Sequence, residues 1–499
     1  FQKEITKDKK MEEVNKRNEI LKYIYAKLAQ APFFVKDRIH ADGKPLLFRQ
    51  AAIRLQNYAE SFIREEKGAS ENRIIVLPGL RGVGKTTMLL QLYDFLIKKQ
   101  GISQDKILYF STDELKDYLG ASISDVINVF IEDILKTTFT MLNEKIFILI
   151  DETHFDEKWD TSAKIVYDQS KNVFLLLTGS SALNIEMSMD LARRARKEKV
   201  FPLSFSEYLA LKYGVNMEAE LSESITTLIF NATEKNGKDA INRENESMRR
   251  SLSMGKPLDK EFSRFITSGD LPFGLELEEK TVYDRIFSMI ERVIEKDVFV
   301  IQSFNTETRA VIKRIVYFLA SQSLGGTSDA KLAKHLETSS RQIRNILDVL
   351  EKTHLIFSIK PYGGAGKVVR KPWKYYFLSP SVNAAIRFRL GLYDKTSKDM
   401  FGVLIENMVA SCLVRMKETI NLPTGIFYDS DDGGADFIVQ DGKENIIPIE
   451  VGSGKKDKGQ IERAIKKYKS RYGIIICGCP KIKKEGNIVY IPFTTFSSV

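Results

Sequence analysis

The feature that most constrains the fold is a glycine-rich segment between a short apolar run and an amphipathic one. Ile74–Leu77 predicts a buried strand, and apolar residues recur at helical spacing over Met88–Leu96. Between them, Gly79, four further residues and Gly84–Thr86 match the pattern G-x-x-x-x-G-K-[ST]. Strand, glycine loop and helix in this order predict a loop that binds phosphate groups.

The glycines and the lysine of this segment are the groups that triphosphate binding requires. Glycine allows backbone N–H groups to turn inward around a phosphate, and the start of the following helix adds partial positive charge. Lys85 can reach the β- and γ-phosphates, and Thr86 can ligate Mg²⁺. We therefore predict a nucleotide site. Its residues are Gly79, Leu80, Arg81, Gly82, Val83, Gly84, Lys85, Thr86 and Thr87.

Two acidic residues at the end of a second apolar run predict the metal-binding and catalytic groups. Ile146–Ile150 has the composition of a central parallel strand, and Asp151 and Glu152 follow it directly. Ligands bind at that edge of open α/β sheets. We expect Asp151 to hold Mg²⁺, directly or through water, and Glu152 to orient and polarise the attacking water. The alternative is a strand that ends in two solvated carboxylates.

Two more strand candidates predict a five-stranded parallel sheet. Lys106–Leu115 lies between the phosphate loop and the acidic pair along the chain, and Asn172–Ala182 ends in hydroxyl residues. This arrangement is typical of NTPases with an additional strand and a catalytic glutamate. Thr178 or Ser180 would then sense the γ-phosphate or the attacking water. The Thr-Gly-Ser-Ser segment is equally consistent with a turn and a helix N-cap.

A basic segment after these strands contains the arginine candidates. Arg193, Arg194 and Arg196 stand near the expected edge of the sheet. A guanidinium there can neutralise phosphoryl charge in its own site or in that of a neighbouring subunit. A solvated basic helix has the same composition, so the residues alone do not separate the two interpretations.

The composition excludes several classes of protein. The chain has 499 residues, 43% of them hydrophobic, which is enough for several domain cores and too many for a disordered chain. No apolar run approaches the ~20 residues of a membrane span, so we expect no membrane association and a cytoplasmic location. Three cysteines and four histidines do not make a zinc set or a disulfide framework. The net charge of +10 permits a polyanionic partner.

A helix–turn–helix pattern lies in the second half of the chain. The residues predict helices at Asp329–Leu336 and Ser340–Thr353, joined by a tight turn at Glu337–Ser339. Two extended segments joined by the basic, glycine-rich Gly363–Lys371 then indicate a winged helix. The residues expected to contact double-stranded DNA are Arg341, Gln342, Arg344, Asn345, Lys367, Arg370 and Lys371. Winged helices also bind proteins, so a protein partner stays open.

Three acidic residues late in the chain indicate a restriction-endonuclease-like fold. A helical Glu406, Asp436 beside a strand and Glu450 on a strand occur in the order of the carboxylates that hold Mg²⁺ there. Such sites use a lysine two residues after the last carboxylate, where this chain has Gly452. The nearest substitutes are Lys455 and Lys456. Without a positioned ammonium group, an inactive scaffold is favoured over a working nuclease.

Together these segments resemble the archaeal-type AAA+ ATPases, in which an ATPase core precedes a winged helix and a restriction-endonuclease-related domain. The segments that carry the resemblance are GLRGVGKTT, ILIDETH, LLLTGSSA, the arginine pair before FPLSFSEYL, SGDLPFG before VYDRI, RNILDVLEKTHLIF and GADFIVQ…IPIEVGSGKK. They extend from about residue 50 to the last residue, and PLSFSEYL makes the combination specific. Two departures are the Arg-Arg pair, where Gly-Arg is commoner, and Gly452.

The resemblance implies an α/β fold with a P-loop parallel sheet, a helical lid, a winged helix and a carboxy-terminal α/β domain. It also implies ATP and Mg²⁺ as ligands, Arg193 or Arg194 as the arginine finger, and a link to DNA. The domains that we expect are an amino-terminal helical segment at 1–50, the ATPase core at 51–215, the lid at 216–305, the winged helix at 306–392 and the restriction-endonuclease-like domain at 393–499.

Three functions fit this order of domains. The favoured one is an ATPase whose nucleotide state controls contact with DNA, its nuclease-like domain being inactive. The second is an ATP-dependent DNA nuclease with Glu406, Asp436 and Glu450 as metal ligands. The third is a nucleotide-dependent switch that binds only protein. An arginine that reaches a neighbouring site would also make the chain a homo-oligomer.

Overall fold

The computed structural model describes residues 2–41, 43–66, 68, 72–179, 189–217, 220–302, 304–322, 327–420, 424–442, 445–452 and 455–499. The chain divides into two units, Phe1–Val200 and Phe201–Val499. The division lies close to the end predicted for the ATPase core, and the finer domain boundaries stay predictions. In the part of the chain that is described, no helix combines the length and the apolar character that a membrane crossing needs.

A parallel five-stranded sheet organises the first unit. The strands are β1 (His40–Ala41), β2 (Lys44–Pro45), β3 (Ile74–Pro78), β4 (Ile107–Ser111), β5 (Ile146–Asp151), β6 (Val173–Gly179) and β7 (Arg196–Lys197). The helices are α1 (Gln2–Arg38), α2 (Gln50–Arg64), α3 (Lys85–Lys98), α4 (Thr112–Glu114), α5 (Ile123–Val129), α6 (Trp159–Gln169) and α7 (Met189–Ala192). Strands β1 and β2 pair with each other, and the others follow the order β4-β5-β6-β3-β7.

Continuous apolar runs explain why β3, β5 and β6 lie at the centre of this sheet. Every residue of these three strands is buried, as expected of parallel strands covered on both faces. The rings of Phe147 on β5 and Phe174 on β6 lie 5.7 Å apart, and Phe62 of α2 packs against both. Since β6 lies between β3 and β5, the carboxyl ends of all three strands meet at one edge. The predicted five-stranded parallel sheet is thereby confirmed.

The second unit contains a helical part and an eight-stranded sheet. Its strands are β8 (Ile356–Pro361), β9 (Lys374–Phe377), β10 (Thr424–Tyr428), β11 (Phe437–Asp441), β12 (Asn445–Gly452), β13 (Gly473–Cys477), β14 (Lys483–Glu485) and β15 (Ile488–Pro492). Its helices before β8 are α8 (Phe205–Tyr213), α9 (Leu221–Phe230), α10 (Glu234–Ser251), α11 (Leu258–Arg264), α12 (Glu279–Arg292), α13 (Val298–Ile301), α14 (Thr306–Ser321), α15 (Asp329–Leu336) and α16 (Ser340–Lys352). The later helices are α17 (Ala365–Arg370), α18 (Pro380–Arg389), α19 (Lys398–Ile420), α20 (Lys455–Tyr468) and α21 (Phe493–Phe496).

Helix capping explains two of the segments that the sequence singled out. Ser204 caps α8 and forms a reciprocal capping box with Glu207, so the Ser-Phe-Ser-Glu part of PLSFSEYL is a helix start. Ser339 caps α16, its hydroxyl accepting the N–H of Gln342 at 3.1 Å. The predicted helices on both sides of the turn are confirmed, and Glu337 in that turn has a left-handed backbone with φ 52°.

The hairpin after this helix pair belongs to the carboxy-terminal sheet. Strands β8 and β9 pair antiparallel, and β8 also pairs parallel with β10, with Phe427 opposite Lys360. The sheet order is β14-β15-β13-β12-β11-β10-β8-β9. The basic connection within the hairpin contains the short helix α17. One sheet therefore runs across the boundary that we predicted at residue 393.

A close backbone approach explains the last glycine of SGDLPFG. A β-carbon on Gly274 would lie 2.0 Å from the carbonyl oxygen of Ser268, a backbone atom that cannot turn away. A β-carbon on Gly402, inside α19, would meet nothing within 4 Å beyond its own helix. The two glycines thus offer a matched comparison within one unit.

We predict that Gly274→Ala lowers the free energy of unfolding by ~1–3 kcal/mol, the usual cost of forcing extra atoms into a packed site. Gly402→Ala should leave the stability unchanged or raise it by up to ~1 kcal/mol, because alanine is favoured over glycine in helices. Chemical denaturation of the two full-length variants and the parent chain measures both effects. Equal denaturation midpoints for the two variants would contradict the steric explanation.

Candidate nucleotide-binding site

The loop between β3 and α3 has a backbone that only glycine adopts easily. Gly82 and Gly84 have φ values of 86° and 91°, in the left-handed region, and Gly84 directly precedes α3. A β-carbon on Gly79 would lie 2.4 Å from the carbonyl oxygen of Val200. The three glycines of the motif are therefore required by the shape of the loop.

The side chain of Lys85 lies inside this loop. Its ammonium group donates hydrogen bonds to the carbonyl oxygens of Gly79 at 2.8 Å and Leu80 at 3.1 Å. Arg49, just before α2, donates to the carbonyl oxygen of Val83 at 2.7 Å and holds the loop from outside. A buried positive charge thus lies where the sequence predicted phosphate binding.

The carboxylate of Asp151 is held by two threonine hydroxyls. Thr86 donates to Oδ2 at 2.7 Å, and Thr178 donates to Oδ1. Burial and the negative charge of Glu152 raise the pKa of Asp151, and the two hydrogen bonds and Lys85 oppose that rise. This arrangement follows from the sheet order, because β6 places Thr178 between the ends of β3 and β5.

Thr178, at the end of β6, lies next to the acidic pair. Its hydroxyl contacts Asp151, and the N–H of Glu152 lies 3.4 Å from the same oxygen. Thr178 therefore joins both acidic residues to the strand β6. Ser180, the other sensor candidate, lies outside the described residues.

The side chain of Glu152 is aimed by an unusual backbone and an ion pair. Glu152 has a φ of 51°, a left-handed conformation that is uncommon for residues other than glycine and often found at functional sites. Its Oε1 lies 3.1 Å from Nη1 of Arg81 in the glycine loop, and its Oε2 lies 3.4 Å from Nδ1 of the buried His154. The sequence analysis predicted Arg81 as a loop residue but not its contact with Glu152, and it did not predict that His154 lies next to Glu152.

The candidate arginines have different environments. Arg194 forms an ion pair with Asp168 of α6 at 2.9 Å and donates to the carbonyl oxygen of Asp190 at 2.7 Å. Arg196 forms an ion pair with Glu198 at 3.1 Å. Arg193 is exposed. Arg194 and Arg196 thus have structural contacts, whereas the side chain of Arg193 faces solvent.

The residues of the loop fit a nucleotide with Mg²⁺. Gly79, Gly82 and Gly84 permit the tight backbone of the loop, and Lys85 supplies a positive charge next to it. Thr86 and Asp151 offer a hydroxyl and a carboxylate, the hard oxygen ligands that Mg²⁺ prefers, and both point to one spot. These two residues would hold the ion, and Gly79–Thr87 would hold the phosphates.

The acidic residues of the second unit have a different arrangement. Glu406 of α19 accepts hydrogen bonds from Tyr376 at 2.6 Å and from the ammonium group of Lys374 at 3.2 Å, both on β9. Asp436 accepts the N–H of Val451 at 2.9 Å. Burial and the negative charge of Glu406 raise the pKa of Asp436 to about 7.

This geometry does not support the metal-binding role predicted for Glu406, Asp436 and Glu450. In the described ranges, no three His, Cys, Asp or Glu side chains are arranged to hold a metal ion. Glu450 accepts the backbone N–H of Asp436 at 3.4 Å. The side chains of Lys455 and Lys456 lie outside the described part of the chain. The sequence gave no indication of Lys374, because it lies on a strand that was assigned to the wing.

The residues predicted to face DNA are only partly available. Arg341, Arg344 and Asn345 of α16 are exposed, as predicted. Gln342 is half-buried, because its side chain accepts from Thr338 at 2.6 Å and donates to Thr308 at 3.2 Å. Two basic residues form ion pairs, Arg344 with Asp329 at 2.8 Å and Lys367 with Asp431 at 3.2 Å. Arg370 and Lys371 are exposed.

Three family models match successive parts of the chain. An AAA domain matches residues 71–209, a domain of unknown function (DUF8612) matches residues 273–395, and a second (DUF4143) matches residues 401–496. The first covers the glycine loop, the acidic pair and Thr178.

Proteins from an archaeon and a bacterium are among those similar over most of the chain. The uncharacterized protein MJ1637 of Methanocaldococcus jannaschii is 34% identical over 442 residues, which is 89% of this chain and 87% of that protein. An uncharacterized protein of Haemophilus influenzae is 24% identical over 66% of this chain and 72% of its own length. Among solved structures, the Walker-type ATPase PABY2304 of Pyrococcus abyssi aligns with 70% of this chain and 97% of its own, at 14% identity and a TM-score of 0.36.

The similarity to the Methanocaldococcus protein runs through both units, and the AAA model matches the part whose loop, acidic pair and strand order have just been described. The domain model at residues 401–496 agrees with the separate carboxy-terminal domain expected from the resemblance. This chain belongs to the archaeal-type AAA+ ATPases.

Proposed function

We propose that this protein is a Mg²⁺-dependent ATPase that couples ATP binding and hydrolysis to conformational switching on DNA, and that its nuclease-like domain is inactive. One observation carries the ATPase part. The hydroxyls of Thr86 and Thr178 hold the carboxylate of Asp151 at the edge of the sheet, and Glu152 follows directly. The loop residues, the metal-binding oxygens and the water-orienting carboxylate therefore lie on adjacent elements.

Each residue of this edge has a chemical task. Lys85 would exchange the carbonyl oxygens of the loop for phosphate oxygens. Thr86 and Asp151 would hold Mg²⁺, which neutralises phosphate charge when bound. Glu152 would orient the attacking water and accept its proton, and Thr178 would fix the position of the acidic pair. Since phosphate oxygens offer Arg81 a second partner, substrate entry would free Glu152 from its ion pair.

Two substitutions should separate binding from turnover. We expect Lys85→Ala to weaken ATP binding, because the loop loses its phosphate-facing charge. Glu152→Gln should retain ATP binding and reduce turnover by on the order of 10²-fold or more, because an amide cannot accept the proton of the water. Equilibrium binding of ATP and steady-state phosphate release distinguish the two effects. Equal loss of ATP binding in both variants would contradict these roles.

The arginine finger is best assigned to Arg193, acting on the site of a neighbouring subunit. Arg194 already binds Asp168 and a backbone carbonyl, whereas Arg193 is exposed. A finger supplied from another copy would make the active protein a homo-oligomer.

We expect Arg193→Ala to lower turnover by roughly 10³-fold at protein concentrations where the chain self-associates, with an unchanged melting temperature. Arg194→Ala is the matched control, because its loss should lower the melting temperature through the broken contact between α6 and α7. Phosphate release and thermal unfolding are measured for both. Full turnover in Arg193→Ala together with a stable, inactive Arg194→Ala would reverse the assignment.

The DNA part of the proposal is supported by an exposed basic surface on the helix pair and the hairpin. Arg341 and Asn345 face outward on α16, and Arg370 and Lys371 are exposed in the hairpin. Exposed guanidinium and ammonium groups suit contacts with phosphates.

We predict that Arg370→Glu with Lys371→Glu weakens binding to duplex DNA and lowers the slope of log affinity against log salt by about 2, one for each lost phosphate contact. The control is Lys235→Glu with Arg249→Glu, which changes the same charge on two exposed residues of α10. Fluorescence anisotropy at several salt concentrations measures both. An equal loss in the two variants would mean that only net charge matters.

The other two functions correspond to different outcomes of simple assays. Binding to duplex DNA that does not depend on salt, or no binding at all, would favour the protein-binding switch. Cleavage of supercoiled plasmid with Mg²⁺ or Mn²⁺ that Glu450→Ala abolishes would favour the nuclease.

A further inference from the structure

The acidic cluster of the second unit already contains a cation. Lys374, at the start of β9, lies with its ammonium 3.2 Å from Oε1 of Glu406. The side chain of Glu406 is buried, at 3% exposure, and that of Lys374 is mostly buried, at 13%. The ring of Tyr428 lies 5.3 Å from the same ammonium, and the hydroxyl of Tyr376 donates to Glu406 at 2.6 Å. Elements far apart in sequence thus converge on one buried charge pair.

The position of this lysine is set by the topology of the sheet. In the fold that the carboxylate order indicates, the ammonium group comes from the strand of the last carboxylate, and here that place is Gly452 on β12. In this chain, β8 pairs with β10, and this pairing brings β9 into the same sheet. The hairpin therefore delivers Lys374 to Glu406 from outside the carboxy-terminal sequence that carries the three acidic residues.

We infer that Lys374 is the resident cation of this cluster and takes the place that a divalent metal would occupy, so Glu406 is held in an ion pair instead of serving a metal site. This inference rests on the nuclease-like domain proposed above and gives the physical reason for its inactivity. A dication would have to enter next to a buried ammonium group, and like charges repel strongly where water is excluded.

The ion pair has a structural consequence for the hairpin. Glu406 binds both Lys374 and Tyr376, so β9 is fastened to α19 through two polar contacts at one carboxylate oxygen. Removing one partner of a buried pair leaves an uncompensated charge, which is far more costly than removing both. The cluster thus fastens the β8–β9 hairpin, which follows the helix–turn–helix pair, to α19.

The test is Mn²⁺ binding to the full-length protein without nucleotide, followed by electron paramagnetic resonance. The parent chain and Glu406→Gln should bind Mn²⁺ equally, because the cluster contributes no metal site. Lys374→Met removes the ammonium and keeps the apolar stem, so we expect a gain of Mn²⁺ affinity of about 10-fold or more. Adding Glu406→Gln to Lys374→Met should abolish that gain.

Thermal unfolding keeps the test decisive if Lys374→Met is unstable. That variant should melt at a lower temperature than the parent chain, and Mn²⁺ should raise its melting temperature, because a ligand of the folded state stabilises it. The double variant with Glu406→Gln should melt above Lys374→Met without Mn²⁺ and show no response to the metal. Lys212→Met is the control, because it breaks a comparable ion pair with Glu261 at 2.9 Å in the same unit, where Tyr208 also donates to the carboxylate.

Either of two results would overturn the inference. One is Mn²⁺ binding by the parent chain that Glu406→Gln removes. The other is a folded Lys374→Met that gains no more affinity for Mn²⁺ than Lys212→Met. The ATPase assays and the DNA titrations are independent of this outcome, so failure of the proposed function is seen in those assays and failure of this inference in Mn²⁺ binding.

Discussion

The first unit depends on how one buried carboxylate is satisfied. Asp151 lies inside the protein, where an unpaired charge is costly, and the hydroxyls of Thr86 and Thr178 supply its hydrogen bonds. These threonines stand on the helix after the glycine loop and on the strand between β3 and β5. The contacts that make the burial tolerable therefore also place the loop, the end of β6 and the acidic pair at one edge.

The second unit solves the same physical problem in another way. Glu406 is as deeply buried as Asp151, but its partners are an ammonium group and a phenol. Neutral hydroxyls do not cancel the charge of Asp151, so under the proposed function it remains available to Mg²⁺. Glu406 instead has a positive charge of the chain itself, that of Lys374, beside it. The two carboxylates show how the choice of partner decides whether a buried acid stays available for chemistry.

The sequence predicted those features that local pattern determines. The glycine loop, the apolar strand before Asp151 and the helices on both sides of Glu337 are fixed by short-range spacing and capping, and the structure has them at nearly the expected residues. Side-chain contacts between distant segments were not predictable in this way. Glu152, which forms the ion pair with Arg81, has a left-handed backbone, and its residue type does not predict that conformation.

Long-range strand pairing limited the prediction of the second unit. Lys374 lies in a segment that the sequence assigned to an extended part of the winged helix. Its contact with Glu406 arises only because β8 pairs with β10. Lys367 was likewise predicted to be an exposed cation, yet it is only partly exposed and has an acidic partner, Asp431, that is distant along the chain. Charge pattern in a single sequence does not reveal such partners, since it records position along the chain only.

The shared sheet has a consequence for dissecting the molecule. A fragment that begins at residue 393 would lack β8 and leave β10 with unpaired N–H and C=O groups along one side. Such an open edge is a template for pairing with other chains, so the fragment would tend to aggregate whatever the intrinsic stability of its remaining strands. The fragment would also lack Lys374, so the buried Glu406 would have no counter-ion. A fragment that begins before β8 keeps that edge covered and the charge balanced.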